Sequence, residues 1–289
     1  MSAFPLEPLA FAPSDAAATP LRLVAADAFA SLEANLPTAA REWLAATRFS
    51  PKAGKQALVP DGAGGVLALA LVEPPGARLH DPFAAGRLPG ALPAGVYRLE
   101  GASETDALAF LLGSYRFARY KNAPPRARLV APQGLDAARI ERIANALALG
   151  RDLINTPAND LGPQELEEAA RALAQRHGAG VETIRDDALR QGFPLIAAVG
   201  RASPRAPRLI DLRLGEEGPR VTLIGKGVVF DTGGLDIKPS ASMALMKKDM
   251  GGAAAALAAA DMIMGDMRAG RGPKIRLRVL LPVVENAIA

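Results

Sequence analysis

Ile224-Gly-Lys-Gly-Val-Val-Phe-Asp-Thr-Gly-Gly-Leu-Asp-Ile-Lys-Pro239, followed by Met246-Lys-Lys-Asp-Met-Gly-Gly-Ala-Ala254, fixes the architecture of everything around it. A β-prone run, Val221 to Ile224, leads in, and an Ala-rich helix begins at Ala253. Strand, glycine-rich connection and helix in that order form the unit of an open α/β sheet, whose chemistry sits on loops at the strand ends. Lys226, Asp231, Lys238 and Asp249 all fall within this connection. Two carboxylates framed by glycines suit hard or borderline divalent cations.

Working outward, the flanking sequence alternates helix and strand. Helices are expected over Pro163 to His177, Asp186 to Gln191 and Ala253 to Met264. Strands are expected over Val181 to Ile184, Leu195 to Val199, Leu209 to Leu212, Val221 to Ile224 and Ile275 to Leu281. That pattern predicts a mostly parallel or mixed sheet covered by helices on both faces. Upstream, Asp136 to Ile154 reads as a long helix with an apolar stripe of Ile140, Ile143, Leu147 and Ile154. Pro157 stops it. The helix is a natural connector, so the chain divides into a small α/β domain, 1–133, and a larger α/β domain, 134–289. The first domain offers strands at Leu21 to Ala25, Gln56 to Val59, Val66 to Val72, Val96 to Leu99 and Arg128 to Ala131. Its helices are Phe29 to Ala46, with Trp43 as a core anchor, and Glu104 to Tyr120, broken by Pro124-Pro125.

Composition narrows the function classes. Aromatics make up 4% of the chain, which disfavours a nucleic-acid reader that stacks bases. The net charge of +4 comes from scattered arginines rather than a basic run, so it reads as a solvated surface. With no cysteine, disulfides, thiolate metal sites and thiol nucleophiles are excluded. Met1-Ser-Ala-Phe-Pro5 begins a segment with neither a basic region nor an apolar core of a secretory signal, and no window spans a membrane. The expected compartment is the cytoplasm.

Phosphate chemistry fits the central stretch poorly. Phe230 stands where a dinucleotide loop needs its third glycine, and no Gly-Lys is followed by Ser or Thr. Metal chemistry fits better. An aspartate such as Asp231 can bridge two cations, and two cations about 3.5–4 Å apart can clamp a tetrahedral transition state. Lys226 is a candidate amine ligand once it loses its proton. Lys238 can stay charged and stabilise an oxyanion. His80 and His177 are isolated in sequence and read as non-catalytic.

The strings Gly225 to Gly234, Ile237-Lys-Pro239, Met246 to Ala254 and Asp152-Leu-Ile-Asn-Thr-Pro-Ala-Asn159 resemble the M17 leucyl aminopeptidase family from about residue 100 onward. Thr232 stands where many members carry Ser. The resemblance implies a variable N-terminal domain, a catalytic domain with two Mn or Zn ions, and usually a homo-hexamer acting on peptides with a free N-terminus. Lys226 and Asp249 would ligate one metal and Asp231 would bridge both. Lys238 would polarise the scissile carbonyl. Met246 would line the pocket for the first side chain, with plain core as the alternative. Members carry an Asn-Thr-Asp-Ala-Glu-Gly-Arg motif shortly after the equivalent of Val284-Glu-Asn286, and this chain has none. The sequence therefore predicts a C-terminally incomplete site and a chain inactive by itself. The alternatives are a non-catalytic remnant or assembly subunit, and, less favoured, a DNA-binding protein.

Overall fold

The computed structural model describes residues 6–122 and 124–288; Met1 to Pro5, part of the segment read for a signal, lie outside them. The chain is a mixed α/β protein with two sheets in two compact units. Among the described residues one unit comprises 9–116, 122 and 124–144; the other holds 6–8, 117–121 and 145–288.

The N-terminal sheet is built from β1 (Thr19–Ala25), β2 (Gln56–Pro60), β3 (Val66–Val72), β4 (Gly95–Glu100) and β5 (Ala127–Leu129), in the order β2-β3-β1-β4-β5. Only the β2–β3 hairpin is antiparallel. The expected helix Phe29 to Ala46 is two helices, α1 (Phe29–Ala34) and α2 (Thr38–Ala46), because Pro37 interrupts it as N-cap of the second. Phe29, Ala40 and Leu44 turn inward against Leu69 and Leu71. Trp43 does not. It is 51% exposed, since Ala40 and Leu44 define the buried stripe of α2 and leave Trp43 beside it. After α3 (Leu88–Ala91), α4 (Glu104–Ser114) starts with a reciprocal Ser103–Asp106 capping box. It stops at Ser114, six residues before the expected Tyr120, because Tyr115 is already extended.

The connector α5 (Ala137–Asn155) spans the division, which falls between Ala144 and Asn145. Its buried stripe runs through Ile140, Ala144, Leu149 and Leu153. Ile143, Leu147 and Ile154, expected on the stripe, are only half-buried, while Ala144, Ala146 and Ala148 are buried.

In the C-terminal unit, α6 (Pro163–His177) ends at Gly178, whose left-handed conformation closes the helix. β6 (Gly180–Ile184), α7 (Asp186–Gly192) and α8 (Pro194–Val199) follow. The α8 segment replaces the expected strand Leu195 to Val199: Pro194 occupies the first turn, a favoured helix start, and Leu195 is 82% exposed. Then come β7 (Arg208–Leu214), β8 (Arg220–Ile224), β9 (Gly227–Asp231), α9 (Ser240–Met243), α10 (Gly251–Arg268) and β10 (Arg276–Asn286). The strand order is β6-β7-β10-β8, with β9 also on β10. β10 pairs antiparallel with β7 and parallel with β8 and β9. Residues 227–231, expected in the glycine-rich connection, form β9 because Val228, Val229 and Phe230 suit a ladder with the long β10.

Leu149 and Leu153 of α5, Leu166 and Leu173 of α6, and Ala253, Leu257 and Met264 of α10 pack on Ile210, Leu212, Leu277, Val279 and Leu281. The alanines of α10 let that helix lie close to the sheet, which fixes where its first turn meets the β8–β9 link.

Candidate functional site

β8 ends at Ile224, and Gly225-Lys226 link it to β9. The Gly225 amide donates to Leu280 O at 3.0 Å, and the Ala253 amide to Lys226 O at 2.8 Å. The first turn of α10 is thus pinned onto the link. A Cβ on Gly225 would lie 2.5 Å from Gly252 O, and one on Gly252 would lie 2.8 Å from Lys226 N. Glycine at both positions is what allows backbone to meet backbone.

Lys226 projects from this link into solvent, with Nζ 3.0 Å from both carboxylate oxygens of Asp249. Asp249 sits on a 3₁₀ turn, Met246–Met250, that runs into α10. Lys247 of the same turn donates to Asn155 O at 2.7 Å, satisfying a carbonyl at the end of α5 and tying the turn down. Asp249 Oδ1 takes the hydrogen bond from Lys226. Oδ2 is buried and has none, because its 3.0 Å approach to the ammonium is out of hydrogen-bonding line. Met246 is half-buried at the head of the turn.

Asp231 closes β9, and the ladder places Asn286 of β10 directly across from it. Asp231 Oδ1 accepts from the Gly233 amide at 2.9 Å and from Asn286 Nδ2 at 2.6 Å, while Oδ2 lies 3.1 Å from Lys238 Nζ. Burial by itself pushes this carboxyl up. The Gly233 amide, Lys238 and Asn286 more than reverse that and hold it below the usual carboxylate range. Asp231 is therefore ionised at neutral pH. The turn beyond it is closed by hydrogen bonds to both sides. Thr232 donates from N and Oγ1 to Asn286 O, each at 2.9 Å, and the Lys238 amide donates to Thr232 O at 2.9 Å. Gly233 has φ +91°, and a Cβ there would lie 2.3 Å from Asp236 O, so this turn requires glycine.

The structure thus joins Lys226 to Asp249 and Lys238 to Asp231, with no hydrogen bond directly linking the two pairs. Asn286 is the site residue that sequence reasoning missed. It lies 55 positions from Asp231 and arrives only through the β9–β10 register. The histidines are elsewhere: His177 of α6 meets Asp261 of α10 at 2.6 Å, and His80 Nδ1 lies 3.3 Å from Glu73 O.

Two carboxylates and an amine fit a divalent cation in kind. Each carboxylate already faces a cation, in the form of a lysine ammonium, and Asp249 Oδ2 has a lone pair left unused. The set is sparse. Among the described residues no group of three or more His, Asp or Glu side chains gathers to hold a metal.

Residues 148–289 match the catalytic-domain model of the cytosol aminopeptidase family, and residues 19–132 match the M17 aminopeptidase N-terminal domain. A Rhodococcus opacus protein named "Probable cytosol aminopeptidase" is 37% identical over 200 residues, covering 62% of this chain and 39% of its own length. One of the same name from Mycobacterium bovis is 40% identical over 179 residues, covering 55% and 35%. The crystal structure of cytosol aminopeptidase from Coxiella burnetii matches with a TM-score of 0.87 at 38% identity, over 96% of this chain and 61% of that one. The bottromycin maturation enzyme BotP in complex with Mn matches with a TM-score of 0.75 at 29% identity, over 94% and 60%. The matched stretches thus span 35–39% of the two curated relatives and about 60% of the two solved structures.

Proposed function

Because the chain belongs to the M17 cytosol aminopeptidase family, we propose that it carries part of a metal-dependent aminopeptidase site that removes N-terminal residues from peptides. The observation that carries this reading is the pair of carboxylates, Asp231 and Asp249, each facing a lysine on the glycine-framed connections around β9.

In this reading Lys226, Asp231 and Asp249 would be the side chains that hold the divalent cations. Mn or Zn would supply Lewis acidity at the scissile carbonyl; a Mn complex of the related BotP supports the choice of Mn. Asp231 is suited to its part because its donors keep it ionised and fix both oxygens in direction. Lys238 would turn its ammonium from Asp231 toward the developing oxyanion, a preorganised charge in a half-buried position. Met246 would line the pocket for the first side chain. The proposed setting is a cytoplasmic homo-hexamer; no described helix is long and apolar enough to cross a membrane.

The test is substitution in a longer relative that carries the same connection. Lys238→Ala should lower turnover by roughly 10²–10³-fold with metal content intact. Unchanged turnover, or loss of metal, removes Lys238 from this role.

One observation favours a second reading, a non-catalytic binding or assembly subunit: among the described residues no group of three or more His, Asp or Glu side chains gathers to hold a metal. The second reading can be excluded by hydrolysis of leucine p-nitroanilide by the 289-residue polypeptide in millimolar Mn²⁺. We expect negligible hydrolysis, because two carboxylates and an amine fall short of the usual complement for a catalytic pair of metals. Robust hydrolysis would dismiss the subunit reading and our expectation together.

A further inference from the structure

The C-terminal sheet carries a second polar constellation, on its other side. Strand alternation places Asp211, Arg213, Arg220, Arg276 and Arg278 opposite the face of Leu212, Val221, Leu277 and Val279 that packs on the helices. Register then sets the arginines against one another. Arg278 lies directly across from Arg213 in the antiparallel β7–β10 ladder, and Arg276 directly across from Arg220 in the parallel β8–β10 ladder. Like charges directly opposite destabilise a sheet.

The first pair has an internal counter-ion. Asp211, 1% exposed, accepts from Nε and Nη2 of both Arg213 and Arg278. Each guanidinium is held side-on and keeps its Nη1 free of that bond. The second pair has no such partner. Arg276 Nε donates to Gly218 O at 3.0 Å, and among the described residues neither Arg220 nor Arg276 forms an ion pair with a carboxylate. Counting Glu182, which lies across from Asp211 on β6, the face holds four positive and two negative side chains. A cleft of about 270 Å³ opens over the arginines, bounded by Gly215 and Leu277. Further along the strands the same face turns neutral, with Thr222, Ile224 and Leu280, so the charge is local and not the track a polynucleotide needs.

We infer that this cleft binds a small doubly charged oxyanion of the phosphate type, gripped by Arg220 and Arg276 and completed by the outward edges of Arg213 and Arg278. Guanidinium forks match tetrahedral oxyanions in geometry and charge. Such an anion balances the excess of two charges and relieves the unpaired cross-strand repulsion. Asp211 acts as a positioning residue, fixing two of the forks before the ligand arrives. The inference does not rest on the aminopeptidase reading.

Calorimetric titration of the 289-residue protein with inorganic phosphate, at constant ionic strength, tests it. We expect a saturable one-site isotherm in the millimolar range or below, weakened at least about tenfold in Arg220→Ala/Arg276→Ala. A charge-matched control, Lys52→Ala/Arg98→Ala in the N-terminal unit, should bind as the parent does. A second arm with AMP separates the sources: equal affinity identifies the free anion, and tighter binding identifies the phosphoryl group of a larger molecule. Should the double variant fail to fold by circular dichroism, Arg220→Gln provides the same comparison. No saturable binding to either probe, equal binding by the arginine variants, or equal loss in the control overturns the inference.

Discussion

Asp231 shows how single residues carry this site. Its charge is held by three donors of different origin: a backbone amide two residues on, a lysine seven residues on, and Asn286 from another strand. The first two belong to one string, which is why the sequence alone singles out Lys226, Asp231, Lys238 and Asp249 as candidates. Asn286 was not, because nothing in a linear string shows that β10 will lie beside β9 in that register. Trp43 was misread for a related reason: a lone large aromatic on a short amphipathic helix does not declare which side of the stripe it occupies. Partners that orient a ligating carboxylate are worth about 10–100-fold in metal affinity. We therefore predict that Asn286→Ala weakens Mn²⁺ binding by roughly that factor while the circular dichroism spectrum is retained. Affinity equal to the parent's would show that the Asn286–Asp231 bond is incidental.

At the scale of elements, the β8–β9 link and the start of α10 depend on contact that admits no side chain at Gly225 or Gly252. Gly252→Ala puts a methyl into the Lys226 backbone. It should cost about 1–3 kcal/mol in urea unfolding, the usual range for overpacking. A variant as stable as the parent would mean that the helix start can slide. The sheet's other anchor is a buried network. Glu167 of α6 bonds Arg208 of β7, Arg171 and Thr183. Glu167→Ala would leave Arg208 unpaired and should cost about 3–5 kcal/mol. A loss below about 1 kcal/mol, the value of a surface pair, would show that water reaches the site.

Glu167 and a second buried carboxyl, Asp211 on the opposite face of the sheet, set a pH dependence. Burial pushes Glu167 and Asp211 up, but their arginine partners outweigh it and hold both below the ordinary carboxylate values. A depressed carboxyl contributes stability that is complete above its unfolded value, about 4, and disappears as pH falls through its folded value. Unfolding free energy should thus decline on acidification below about pH 4, and less steeply in Asp211→Asn than in the parent. Identical slopes would remove Asp211 from the account. Most elements here were legible from periodicity. One exception, α8, is six residues long, too short for apolar period to separate helix from strand, and only Pro194 hinted at the outcome.

For the whole molecule, the sequence made the α/β class and the presence of two sheets legible, because runs of β-branched residues alternate with long helical stripes. Strand order was not, since neither β10 at the centre of its sheet nor the β6–β7 antiparallel pair is encoded locally. The arginine row on the reverse face was hidden for the same reason: scattered in sequence, it is assembled by register. Around the glycine-rich connections Leu235, Ile237 and Leu245 are 81%, 55% and 61% exposed. Exposed apolar side chains so grouped in sequence favour association. We predict concentration-dependent self-association in light scattering, reduced by Leu235→Lys/Leu245→Lys; a parent that stays monomeric at all concentrations would contradict this.

The central claim is that Lys226, Asp231 and Asp249 form a cation site, and Mn²⁺ titration of the 289-residue protein, with free Mn²⁺ followed by electron paramagnetic resonance, tests it most directly. The account predicts saturable binding in the parent, and a loss of about tenfold or more in affinity in each of Asp231→Asn and Asp249→Asn with the fold intact by circular dichroism. Binding of the same strength in both variants, or no saturable binding by the parent at millimolar Mn²⁺, would contradict it.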